Sequence, residues 1–95
     1  MKRLYISGKI TGTTDYMERF KAAEDKLSRD WDIINPAKVS STLPELRHCQ
    51  YMDICLVLLP MCDAIYMLKG WQGSEGALEE YREARHLGLE VLFEE

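Results

Sequence analysis

The sequence predicts a single α/β domain over residues 1–95, with a mainly parallel sheet of about four strands covered by helices on both faces. Three observations carry this. Short, largely apolar segments alternate along the chain with helical ones, in the order βαβαβαβ. The segment Ala-Ile-Tyr-Met-Leu, residues 64–68, is apolar nearly throughout, as a strand buried on both faces requires. A chain of 95 residues has room for one small core and no second domain.

Taken in order, residues 2–7 read as the first strand, which runs straight into Gly8-Lys9-Ile10-Thr11-Gly12. Thr14 or Asp15 is placed to cap the next helix by accepting from a free backbone N–H. Over residues 16–27, Met17, Phe20, Ala23 and Leu27 recur at helical spacing. Residues 31–34 form a second short strand ended by Asn35-Pro36, and residues 37–44, rich in turn formers, read as loop. A helix is expected from Glu45 to about Pro60, where proline ends it. After the third strand, residues 69–73 are loop and Ser74 caps a helix to about His86. Gly88 then stops that helix, and residues 89–93 form the fourth strand. Right-handed crossovers and the doubly wound precedent give strand order 2-1-3-4, a three-layer α/β/α, Rossmann-like (flavodoxin-like) arrangement. Ligands of such sheets bind at the carboxyl ends of the strands where the order reverses, between strands 1 and 3. The loops there are residues 8–12 and 69–74.

Composition narrows the function. Twelve Lys and Arg against sixteen Asp and Glu give a net charge of −4, without the basic stripe that a nucleic-acid polymer demands. The longest mainly apolar run, residues 54–60, is far too short for a bilayer, and no signal-peptide core follows the first residues, so a cytoplasmic location is expected. Cys49, Cys55 and Cys62 have spacings of neither a disulfide framework nor a zinc knuckle, so thiols and no metal are expected.

Two features then carry chemistry. Gly8 and Gly12 let backbone approach a ligand closely, with the N–H groups of the following helix nearby, although the spacing is that of neither a P-loop nor G-x-G-x-x-G. On the last helix, at about 100° per residue, Ala77, Tyr81 and Ala84 form one stripe and Glu75, Glu79 and Glu83 the opposite, solvated face. Glu80 falls beside the apolar stripe with Leu87. A carboxylate there is either a boundary residue bonded to a neighbour or a catalytic group under the cleft. Tyr5 and Tyr66, in neighbouring strands, pack in the core or aim a hydroxyl at that carboxylate. Asp63, at the amino end of strand 3, suits loop bonding. Asp53, within a helix, faces solvent or cleft. Trp71 is a stacking surface for a base, or covers core or partner.

The segment Leu4-Tyr5-Ile6-Ser7-Gly8-Lys9-Ile10-Thr11-Gly12 resembles the first strand and loop of the nucleoside 2-deoxyribosyltransferase superfamily. Its nucleoside monophosphate N-glycosidase branch opens with a similar Tyr-x-x-x-Gly-Ser-Ile-Arg-Gly. Residues 62–68, then Gly70-Trp71, then Ser74-x-Gly76-Ala77-x-x-Glu80-x-x-x-Ala84, resemble the second signature of that superfamily. The whole is most similar to a short subgroup common in phages and prophages, the DUF4406-type deoxyribosyltransferase-like domains.

The resemblance implies that Glu80 is the nucleophile and that Tyr5 orients it. It implies that Gly8 and Ile10 line the sugar and base, and that Ser74, where transferases of free nucleosides often carry aspartate, accommodates a 5′-phosphate. Lys9 compensates for an arginine replaced by Thr11, and Gly76 belongs to the same motif. Asp53 is the approximate match to the aspartate that handles the proton at the base. The expected function is N-glycosidic bond cleavage or transfer on 2′-deoxynucleosides or their 5′-monophosphates, with no cofactor. The alternative is an inert module that binds and sequesters a nucleotide. The helix N-terminus and Tyr5 are expected to keep Glu80 ionised near neutrality. The small core and the apolar helix bearing Met52, Leu56 and Leu59 imply a homodimer or higher homo-oligomer.

Overall fold

A computed structural model of the chain describes residues 1–95 and builds one parallel sheet from four strands. These are β1 (Arg3–Ser7), β2 (Asp32–Ile34), β3 (Ala64–Met67) and β4 (Glu90–Phe93), in the order β2-β1-β3-β4. Leu4 is in register with Ile33 on one side and Ala64 on the other, and Ile65 with Val91. The order anticipated from right-handed crossovers is the observed one, and it puts the switch point between β1 and β3.

Four helices cover the sheet: α1 (Tyr16–Leu27), α2 (Pro36–Ser40), α3 (His48–Leu58) and α4 (Glu75–His86). Phe20, Ala23 and Ala37 of α1 and α2 pack on Leu4, Ile6, Ala64 and Tyr66. Cys55 of α3 and Ala77 and Ala84 of α4 pack on Tyr5, Ile65 and Met67. Alternate residues of β1 therefore serve opposite layers, as a period of two dictates. Tyr66 is a core residue of the first layer, away from Glu80.

Several local expectations change. Residues 37–44 are not all loop. Pro36 starts α2, and Asn35 caps it by accepting from the Lys38 N–H at 3.2 Å. Proline at the first helical position has no N–H to leave unpaired, so the Asn35-Pro36 turn signal is also a helix start. The third helix begins at His48 and not Glu45, with the Gln50 side chain accepting from the Arg47 N–H. A 3-10 turn, Leu59–Met61, absorbs Pro60 at its end. Asp15 occupies the cap position of α1 but makes no capping bond; it pairs with Arg19 at 3.3 Å. Leu87 lies past the last turn of α4 and is 39% exposed, so it is not part of the core stripe. Gly88 has φ +76° beyond that helix end, the left-handed conformation its position required. Asp63 accepts from the Arg3 N–H at 2.9 Å, tying the strand starts together.

Met52 and Leu59, expected to meet a second subunit, are buried within the chain itself. The large exposed apolar side chains of that region are Val57 and Met61. No helix is long and apolar enough to cross a membrane.

Candidate active site

Ser74 fixes the start of α4: its Oγ accepts from the Ala77 N–H at 3.2 Å. Six residues on, Glu80 turns inward and is 4% exposed, whereas Glu75 and Glu79 face solvent. Its carboxylate meets two hydroxyls from β1. The Tyr5 hydroxyl donates to Oε2, and Ser7 Oγ donates to Oε1 at 2.7 Å. Both donors are fully buried. They share a face of β1 because they are two residues apart, and that face is the one α4 covers. The sequence reading found Tyr5 and passed over Ser7. The same period of two that separates Leu4 and Ile6 from Tyr5 was the signal for it.

Burial dominates the electrostatics here. Removal from water pushes the Glu80 carboxyl from its ordinary 4.5 up to about 7, against the lowering effect of bonds from Tyr5, Ser7 and Cys55. The expectation that the helix N-terminus and Tyr5 would keep the group ionised near neutrality changes: desolvation outweighs the donors, and both protonation states are populated there. Tyr5 is pushed well up by burial and by the adjacent Glu80. Burial pushes the Cys55 thiol up to about 12, so beside this carboxylate it is a neutral thiol and not a thiolate. Tyr51, also raised by burial, stands against Cys55 and Glu80.

Above Glu80, at the carboxyl ends of β1 and β3, opens a cleft of about 340 Å³. That is within the range of small-molecule sites. Gly8 and Ile10 line it from the first loop, Ser74, Gly76 and Ala77 from α4, and Tyr16 from α1. His48, Tyr51 and Met52 come from α3, and Ser40, Ser41, Leu43, Pro44, Glu45 and Leu46 from the end of α2 and the connection beyond it. A polar recess of about 330 Å³, lined by Lys9, Thr11, His48, Gly73, Ser74, Glu75 and Gly76, adjoins it. Gly8 is required by close packing. A Cβ there would stand 2.8 Å from Leu68 Cδ1 and 3.0 Å from Leu68 Cβ. The rest of the loop is held by its carbonyls: Arg19 Nη2 donates to the Lys9 oxygen and Thr13 Oγ1 to the Ile10 oxygen, each at 2.9 Å.

Over residues 2–93 the sequence matches the family model described as a domain of unknown function, DUF4406. The chain belongs to the DUF4406 family. No curated protein and no solved structure matches it.

Of the residues singled out from the sequence of this DUF4406 domain, Gly8, Ile10, Ser74, Gly76 and Glu80 line the one cleft, with Tyr5 directly beneath Glu80. Lys9 lies in the adjoining recess. Asp53 and Trp71 stand elsewhere. Met52 and Cys55 set the inward face of α3, and Asp53, one residue round from Met52, is exposed. It lines an outer groove between α3 and α4 with Glu75, Glu79 and Arg82. Trp71 packs on Tyr81, with ring centres 4.8 Å apart, and lies 6.1 Å from Phe93. The aromatic rings in the cleft are instead Tyr16 and Tyr51, which the sequence reading did not assign to the site. No three His, Cys, Asp or Glu residues of the DUF4406 domain are grouped to hold a metal ion. What the arrangement offers is one buried carboxylate, oriented by two fixed hydroxyls, facing a cleft of ligand size.

Proposed function

We propose that this protein cleaves or transfers the N-glycosidic bond of a 2′-deoxynucleoside or its 5′-monophosphate, as the resemblance to the nucleoside 2-deoxyribosyltransferase superfamily implies. The observation that carries the reading is Glu80: a buried carboxylate at the floor of the cleft, held on each oxygen by Tyr5 and Ser7. In its ionised form Glu80 attacks C1′ of the sugar. The C1′–N bond breaks through an oxocarbenium-like transition state, and its electron pair leaves with the base, which takes up a proton from solvent water. The resulting ester between Glu80 and the sugar is then attacked at C1′ by water or by a second base, which gives up a proton to solvent as it bonds. That step regenerates the carboxylate and inverts C1′ a second time, so configuration is retained overall. Tyr5 and Ser7 are positioning residues, which present the carboxylate in one orientation and counter the desolvation that would keep it protonated. Ser74, Lys9 and the first loop hold the 5′ end. No metal or organic cofactor takes part in this sequence.

Incubation with a panel of 2′-deoxynucleosides and their 5′-monophosphates, with free base measured by chromatography, tests the reading. Release of a base that is lost in Glu80→Gln supports it. Release that survives Glu80→Gln at the wild-type rate refutes it. A second reading rests on the cleft itself, whose glycine loop and Ser74-capped helix line a space of ligand size whether or not Glu80 reacts: a module that binds a nucleotide without turnover. Tight binding with no base released by the wild type selects that alternative.

A further inference from the structure

As the C1′–N bond breaks, negative charge develops on the departing base, and a hydrogen-bond donor fixed in the cleft stabilises it. Asp53, the residue expected to serve the base, lies in the outer groove. Among the side-chain donors of the cleft, Thr11, His48 and Ser74 also line the polar recess, where the glycosidase reading puts the 5′ end. Ser40 Oγ already donates to the Ala37 carbonyl at 3.1 Å, and Ser41 Oγ to the Lys38 carbonyl at 2.6 Å. Tyr16 and Tyr51 remain, and both line the cleft and not the recess.

Tyr51 has the placement. It stands one turn of α3 before Cys55, on the same inward face, and packs on the core cluster that holds Tyr5, Cys55 and Ala77. Its hydroxyl bonds to no oxygen or nitrogen of the chain, yet it is not an enclosed, unpartnered atom, so it opens onto the cleft that the residue lines. The Cys55 thiol beside it is only a weak acceptor, which a substrate oxygen or nitrogen displaces. The hydroxyl feels the charge of Glu80 without bonding to it, so the two groups act on C1′ and base separately. Burial, Cys55 and Glu80 all push its ionisation up, and the proton stays on the oxygen at neutral pH.

We infer that the Tyr51 hydroxyl donates a hydrogen bond to the departing base and stabilises the negative charge that develops there as Glu80 bonds to C1′. The electron pair of the C1′–N bond moves onto the base, the Tyr51 O–H bond stays intact, and solvent water supplies the proton that the base keeps. The acceptor is O2 of a pyrimidine or N3 of a purine, the atoms next to the glycosidic nitrogen, so either class of base is served. A donor already in place needs no reorganisation at the moment of bond breaking. This inference rests on the glycosidase reading, and it makes Tyr51 a catalytic residue of that site.

Tyr51→Phe tests it, because the variant keeps the ring that packs on the core and removes only the hydroxyl. Base release by wild type and variant is compared as kcat/KM on matched pairs that differ in how readily the base leaves. One pair is a purine 2′-deoxynucleoside and its 7-methyl form, whose base departs as a neutral molecule. The other is a pyrimidine 2′-deoxynucleoside and its 5-fluoro form, whose ring holds negative charge better; each is also used as the 5′-monophosphate. On the unmodified member the variant should lose on the order of a hundredfold, and on the activated member less than about tenfold. A role in packing, or at the sugar, lowers both members alike. An equal loss within a pair, or no loss, overturns this inference, and base release that is lost in Glu80→Gln then leaves the glycosidase reading standing. A wild type that releases no base from any member overturns both.

Discussion

Glu80→Gln separates what this carboxylate costs the fold from what it does. In the folded chain the group titrates near 7 because burial penalises its charge; in the unfolded chain it titrates near 4.5. Between those values the folded state holds the proton more often than the unfolded state. Stability therefore falls as pH rises through this window and levels off above about 7. At 1.36 kcal/mol per pKa unit, the loss from acid to alkaline side is on the order of 3 kcal/mol. Glutamine is neutral throughout and keeps an oxygen for the Tyr5 hydroxyl, so the variant lacks this slope.

Urea unfolding of both proteins from about pH 4 to about pH 9 isolates the effect, because the other ionisable groups cancel in the difference. Glu80→Gln should gain about 3 kcal/mol relative to the wild type across that range, equivalent in a domain of this size to on the order of 15 °C in Tm. A difference between the two proteins that stays constant with pH would show that Glu80 titrates as an ordinary carboxylate and that its burial has been misjudged.

Further expectations concern the surroundings of Glu80. On a cleaved substrate, kcat/KM should rise with pH through about 7 as the nucleophile ionises, and Tyr5→Phe should move that limb to higher pH by removing a donor to the charged form. An unmoved limb in Tyr5→Phe would deny the hydrogen bond its role. Gly8→Ala should cost about 1–3 kcal/mol, read by chemical denaturation, because the new methyl meets the buried Leu68. Unchanged stability there would mean that the loop yields freely. Asp53→Asn, outside the cleft, should leave ligand affinity and turnover within about twofold of wild type, less than the loss of a single hydrogen bond; a large loss would restore Asp53 to the mechanism.

The parts of this molecule written in periodicity were legible in its sequence. The alternation of strands and helices gave the sheet order, and the wheel of α4 separated Glu80 from Glu75, Glu79 and Glu83; in the structure Glu80 is buried, Glu75 and Glu79 are exposed and Glu83 is half-buried. The switch-point rule put Gly8 and Ser74 at the same cleft. What depended on tertiary placement was less accessible. Trp71 in a loop after β3 had the chemistry of a stacking surface, but Tyr81 and Phe93 occupy it. Asp53 had the right residue type on the right helix, and its angle about the axis, fixed by Met52 and Cys55 packing inward, turns it to solvent. Asn35-Pro36 signalled a stop to β2 and was also the start of α2, since the residues that break one element cap the next. Burial of Glu80 was foreseen, but its balance against the helix N-terminus and Tyr5 required the depth of the side chain.

The central claim is that Glu80 forms a covalent bond to a sugar. A 2-fluoro-2-deoxy analogue of a substrate slows the second step more than it does the attack by the carboxylate, so the glycosyl-enzyme accumulates. Intact mass followed by peptide mapping reads it directly. The account predicts one fluorodeoxysugar added per chain, on the peptide that carries Glu80, with none on Glu80→Gln. Free base released from the unmodified substrate while the analogue labels no residue, or labels one other than Glu80, would contradict it.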